Sequence, residues 1–174
     1  MKSTGMMRRI DELGRIVIPK EIRKNLRIKE GENLEIYVEN ETILLKKYSP
    51  LKNLVEMATI YAEVINSFIK ENVVITDNDT IIAVSGKYKK KLLSKNISDS
   101  LLKSIERREN ILETHKKTLS IVDDYEVTYS LHTIVVNGDS VGLVLIFSEN
   151  DKMDEKIDNA CVMAANFLAK YLED

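Results

Sequence analysis

The chain has 174 residues, of which 44% are hydrophobic and 31% charged, with a formal net charge of −2. That size and balance suit a globular protein of one medium domain or two small ones. Cys161 is the sole cysteine, which rules out an intrachain disulfide and fits a reducing compartment. No run approaches the roughly 18 apolar residues of a membrane span, and Lys2, Arg8 and Arg9 break up any signal-like start, so a cytoplasmic location is expected.

The net charge hides an asymmetry. Residues 1–50 hold 11 basic and 8 acidic side chains, whereas residues 51–174 hold 15 and 20. Up to position 29 there are nine basic residues against Asp11, Glu12 and Glu21. A basic head on an acidic tail predicts two modules with different partners, bounded at 1–50 and 51–174.

In the head, Arg8–Asp11 can pair as a strand with the next apolar segment. Glu12-Leu13-Gly14 reads as a turn, with glycine free to take positive φ. The β-branched run Ile16-Val17-Ile18 reads as a second strand. Pro19 ends it and suits a helix start, and Lys20–Leu26 is the predicted helix, with Ile22 and Leu26 on its buried side. Gly31 turns the chain. Leu34–Val38 alternates apolar and polar residues and pairs across Asn40-Glu41 with Thr42–Lys47. A core this small predicts a head that dimerises.

Tyr48-Ser49-Pro50 reads as a linker. Leu51–Lys70 then shows a 3.6-residue period through Leu51, Leu54, Val55, Ala58, Tyr61, Ala62, Ile65, Phe68 and Ile69, predicting a linking helix with those residues on one face. Asn72–Asp77 and Thr80–Ser85 form a predicted hairpin. Lys87–Lys91 opens a short basic helix, and Ser98 or Asp99 caps another carrying Leu101, Leu102 and Ile105. Residues 111–119 give no clear signal. Ser120–Asp123, Val127–Val136 and Val141–Ser148 read as strands, the last two joined by Asn137-Gly138. Residues 153–172 form a final helix with Ile157, Ala160, Cys161, Ala164, Phe167, Leu168, Tyr171 and Leu172 on one face. The fold class is α+β.

The run DELGRIVIPKEIR at Asp11–Arg23, followed by EGENLEIYV, resembles the AbrB family of swapped-hairpin transcription factors. The resemblance implies that two chains interlace hairpins into a β-barrel-like dimer that binds double-stranded DNA. An AbrB-type head with a tail of this length further resembles sporulation regulators of endospore-forming bacteria, acting as activator and repressor in the developing forespore. The resemblance implies DNA contacts at Arg8, Arg15, Arg23 and Lys24, with Arg9 and Lys2 as additions; Arg15 lies within LGRIVIP, whereas Arg9 and Lys24 are placed by position and charge. Arginine is the side chain best matched to phosphate and guanine edges. With no readable helix-turn-helix, recognition rests on loops and strand ends, and on DNA shape as well as base edges.

The order and spacing of the tail resemble a GAF domain, an antiparallel sheet with flanking helices. The cyclic-nucleotide pattern of some members (asparagine–lysine–phenylalanine–aspartate–glutamate) is not found. A small-molecule effector and a purely oligomeric role, giving a homotetramer through tail contacts, both stay open. No catalytic residue, metal site or cofactor is expected: His115 and His132 lack partners at ligand spacing, and Cys161 sits on an apolar helix face. The Lys87–Lys91 run reads as a solvated face, with added nonspecific DNA attraction as its other reading. Two alternatives stand beside DNA regulation. One is an antitoxin of the swapped-hairpin kind. The other is a signal-sensing or enzymatic GAF module whose head only dimerises.

Overall fold

The computed structural model describes residues 4–173. Contacts divide the chain into two compact units, the first ending at Tyr48 and the second beginning at Ser49.

The first unit holds helix α1 (Lys20–Asn25) and an antiparallel hairpin of β1 (Leu34–Glu39) and β2 (Thr42–Lys47), with Leu34 opposite Lys47 and Glu39 opposite Thr42. Asn40 takes φ 53° at the turn, a conformation its short polar side chain tolerates. After α1, Arg27 adopts φ 53°, and the amides of Arg27 and Ile28 return to the carbonyls of Lys24 and Arg23. This pair of bonds is a Schellman closure, which satisfies carbonyls the helix end would leave bare. Lys47 Nζ pairs with Glu32 at 2.9 Å and donates to the Arg27 carbonyl at 3.0 Å, tying this loop to β2.

The expected strands at Arg8–Asp11 and Ile16–Ile18 are not strands in the single chain, because neither finds a backbone ladder there. Helix α1 stops one residue short of the expected Leu26, and Leu26 is exposed rather than on a buried side. Ile16, Val17, Ile36 and Val38 are exposed with it. These departures share a cause: the unit has apolar faces but too little chain to cover them.

The second unit opens with a 3₁₀ turn over Pro50–Leu54 and helix α2 (Val55–Ile69). Next come strands β3 (Asn72–Asp77) and β4 (Ile81–Ser85), helices α3 (Lys89–Leu92) and α4 (Asp99–Glu106), strands β5 (Asn110–Ser120), β6 (Asp124–Val136) and β7 (Asp139–Ser148), and helix α5 (Glu155–Glu173). The sheet is antiparallel in the order β4-β3-β7-β6-β5. Asn137 (φ 49°) and Gly138 (φ 87°) make the β6–β7 turn, as their sequence predicts. Ser98 Oγ accepts the Leu101 amide at 3.1 Å and caps α4.

The strand expected at Ser120–Asp123 is displaced. Pairing runs through Asn110–Ser120, and residues 121–123 turn the chain into β6. Strand β5 is an edge with most of its residues exposed, so it lacks the apolar alternation that would mark it.

The sheet is covered on both faces. Ala58, Ala62 and Ile65 of α2 and Ile157, Cys161, Ala164 and Leu168 of α5 pack with Val73, Ile75, Val144 and Ile146. Leu92, Leu101 and Ile105 from α3 and α4 pack on the opposite face with Val74, Leu143, Leu145 and Phe147. Central strands β3 and β7 therefore read as continuous apolar runs rather than alternations. Phe68, placed by periodicity on one face with Ala58, Ala62 and Ile65, is instead 90% exposed while those three are buried.

Candidate nucleic-acid interface

The basic side chains of the head hang on a turn and a short helix. Gly14 takes φ 76° and its amide donates to the Asp11 carbonyl at 3.0 Å, while the Asp11 amide donates to the Arg15 carbonyl at 3.1 Å. The Asp11 carboxylate braces the turn from inside. Its Oδ1 accepts the Leu13 amide at 3.0 Å and the Arg15 amide at 2.8 Å. Its Oδ2 accepts Arg15 Nε at 2.7 Å. The Arg15 amide, then the Arg15 guanidinium, hold the Asp11 carboxyl below its ordinary pKa. Both side chains are solvated, Arg15 by 71%, so the pair adds little stability and serves chiefly as geometry.

Arg8 and Arg9 precede this turn and are exposed, with Arg8 Nη1 donating to the neighbouring Met7 carbonyl at 3.0 Å. Pro19 is buried and opens α1, whose last turn carries Arg23 and Lys24. Lys24 is exposed. Arg23 is half-buried, and its buried Nε has no hydrogen-bond partner among the described residues. Lys2 lies outside the described residues. Arg8, Arg9, Arg15, Arg23 and Lys24 thus fall within a stretch of about 17 residues, four of them exposed and Arg23 half-buried, a concentration of positive charge suited to phosphate. In the sequence Asp11 reads as an acid, a strand end and the start of the DELGRIVIPKEIR run, not as a brace for Arg15. The signal for its role is an aspartate at the start of a glycine turn, four residues before an arginine.

The basic run in the tail is a different matter. Lys89 pairs with Glu63 at 3.0 Å and Lys91 with Asp123 at 3.1 Å, and Lys87 and Tyr88 both donate to Glu149. Lys91 also lies 4.9 Å from the centroid of the Tyr125 ring. Acids from three other elements or loops balance these lysines, which weakens their attraction for DNA.

The remaining chemical candidates have structural partners. Cys161 is buried under the sheet, donates to the Val144 carbonyl at 3.3 Å, and burial pushes its thiol up to about 12. His132 Nε2 lies 2.8 Å from Asp158 Oδ1, which also accepts Ser130 Oγ at 2.8 Å, joining β6 to α5. No group of three or more His, Cys, Asp or Glu side chains able to hold a metal occurs among the described residues. A polar cleft of about 230 Å³ lies among Asn66, Lys70, Asn72, Lys87, Glu149 and Lys152. No helix among the described residues is long and apolar enough to cross a membrane.

Comparisons with known proteins divide the chain in a similar way. The family described as "Stage V sporulation protein T C-terminal, transcription factor" matches residues 53–173. The family described as "Antidote-toxin recognition MazE, bacterial antitoxin" matches residues 7–53. Stage V sporulation protein T of Bacillus subtilis (strain 168) is 45% identical over 177 residues, covering 99% of each chain. Transition state regulatory protein AbrB of the same organism is 62% identical over 50 residues, covering 29% of this chain and 52% of its own. Among solved structures, the GAF domain of a phosphoenolpyruvate-protein phosphotransferase from Coxiella burnetii superposes with a TM-score of 0.54 at 12% identity, covering 87% of this chain and 88% of that one. At that identity the likeness speaks for the fold alone.

Proposed function

Since this chain belongs to the family of stage V sporulation protein T, and is thereby a DNA-binding transcription regulator of sporulation, we propose that its basic head reads double-stranded DNA as a homodimer and its tail joins two such dimers. The head is residues 1–50 and the tail residues 51–174. Arg8, Arg9, Arg15, Arg23, Lys24 and Lys2 make the DNA contacts, and the protein works in the cytoplasm.

The observation that carries this reading is the head itself. It is 62% identical to a region of AbrB, and its arginines cluster on a turn and a short helix in a chain that is acidic elsewhere. Dimerisation has a physical motive in the apolar side chains left exposed at Ile16, Val17, Leu26, Ile36 and Val38. Interlacing two copies would cover them and supply the ladder that residues 8–11 and 16–18 lack. The tail has a corresponding motive. Ile60, Val64 and Phe68 form an exposed row on α2, and Met163, Phe167 and Tyr171 form another on α5. Tyr61 stacks on Phe167 with ring centroids 4.6 Å apart, which sets the two rows side by side. Four such helices from two tails can close into a bundle. A small-molecule effector would act on this assembly, and the polar cleft at the end of α2 offers it one place to bind.

Fluorescence anisotropy of the full chain with a labelled duplex tests the reading across a salt series. Each phosphate neutralised releases about 0.9 counterion, so the slope of log affinity against log salt counts contacts. Arg15→Ala and Arg23→Ala should each flatten the slope by about two per dimer where both copies touch phosphate. Folded variants with unchanged affinity and slope would overturn the assignment of this face.

A further inference from the structure

We infer that Asp11 is a positioning residue for DNA recognition: it holds the Arg15 guanidinium through Nε and leaves the Nη donors for a base or phosphate. The inference rests on the proposed reading that Arg15 touches DNA and explains why an acid stands inside the most basic stretch of the chain. A carboxylate beside a DNA-binding surface repels phosphate, so it needs an offsetting role.

The geometry supplies one. The two oxygens of Asp11 do separate work. Oδ1 accepts the amides of Leu13 and Arg15 and fixes the turn. Among the described residues Oδ2 accepts only the Arg15 side chain, at 2.7 Å through Nε. The guanidinium has five N–H donors in a planar fork, and this contact uses the single one on Nε. The four Nη donors stay available for bidentate recognition. An unheld arginine that is 71% exposed must give up its rotamer freedom when it meets DNA, and a held one has already done so. Lysine cannot replace it. A lysine ammonium that reached Asp11 would spend its only charged group there.

The experiment separates positioning from charge by sign. Asp11→Asn keeps an oxygen to accept the two turn amides but replaces the anionic Oδ2 with a donor that cannot accept from Nε. The full-length variant is measured on two duplexes: one selected from a random pool by the unaltered protein, and one scrambled to the same composition. Positioning of two arginines per dimer predicts that affinity for the selected duplex falls on the order of tenfold or more. Affinity for the scrambled duplex holds or rises, because two acids have been removed. Discrimination therefore drops, and in an Arg15→Ala background Asp11→Asn causes no further drop. Parallel strengthening on both duplexes would overturn the inference, since it is the signature of charge alone. Arg15→Lys gives a second route if Asp11→Asn fails to fold: it should discriminate as poorly as Arg15→Ala, and retained discrimination would again overturn the inference. The outcomes also separate this inference from the reading beneath it. Arg15→Ala with full affinity and discrimination removes Arg15 from the interface altogether. Loss in Arg15→Ala with none in Asp11→Asn rejects the positioning role only.

Discussion

Phe68 offers a direct way to take the assembly apart without touching the fold. Its side chain is 90% exposed in the single chain, so truncation removes almost no intrachain packing and should leave the tail's own stability within about 0.5 kcal/mol. In a tail–tail bundle the same ring would be buried. Fully burying a phenylalanine is worth about 1.5–3 kcal/mol relative to leaving it in water. A two-fold contact contains the residue twice, so Phe68→Ala should cost the interface about 3–6 kcal/mol. At roughly 1.4 kcal/mol per factor of ten, the dissociation constant of one tail–tail contact should rise by about two to four powers of ten, and that between dimers, which share two such contacts, by more. Sedimentation velocity over a broad concentration range reads this as a shift from four chains of 19.9 kDa to two. Lys90→Ala, on α3 across the sheet, is the control and should leave the assembly intact. An unchanged four-chain species for Phe68→Ala at every concentration would refute the argument that this row lies in the interface.

Two further substitutions or reactions probe the tail. A Cβ added at Gly142 would overlap the Thr76 carbonyl oxygen and sit 2.7 Å from Leu51 Cδ1; Gly142→Ala should therefore destabilise by about 1–3 kcal/mol, and an unshifted denaturant midpoint would contradict the β3–β7 register. The Cys161 thiol, raised to about 12 by burial, should remain protonated and shielded at pH 8, so a thiol-reactive disulfide reagent should modify it only after denaturant is added. Prompt modification of the native protein would place it at the surface instead.

The tail was open to reading from its sequence wherever burial imposes a period. The β6–β7 hairpin is legible because Asn137 and Gly138 both accept positive φ between two apolar runs. Strand β5 is illegible for the opposite reason, being an exposed edge with no apolar face to repeat. Helix α2 illustrates a subtler limit. Its apolar residues form two stripes, Ala58, Ala62 and Ile65 against the sheet and Ile60, Val64 and Phe68 toward solvent. Periodicity detects apolar surface but does not say whether the surface covering it belongs to the same chain. The head shows this limit at its strongest, since Ile16–Ile18 has strand chemistry and no strand partner among the described residues. As for the candidate site, residue type and clustering point to the arginines. The Asp11–Arg15 contact depends on how the turn folds, and a tally of charges does not contain it.

Hydrogen–deuterium exchange of the full chain with and without a tightly bound duplex tests the central claim most directly, because it reports both units in one measurement. DNA should slow exchange across residues 8–27, above all at the Asp11–Arg15 turn and α1, and leave β3 to β7 unchanged. Protection confined to the tail, with the head exchanging as freely as before, would contradict the account.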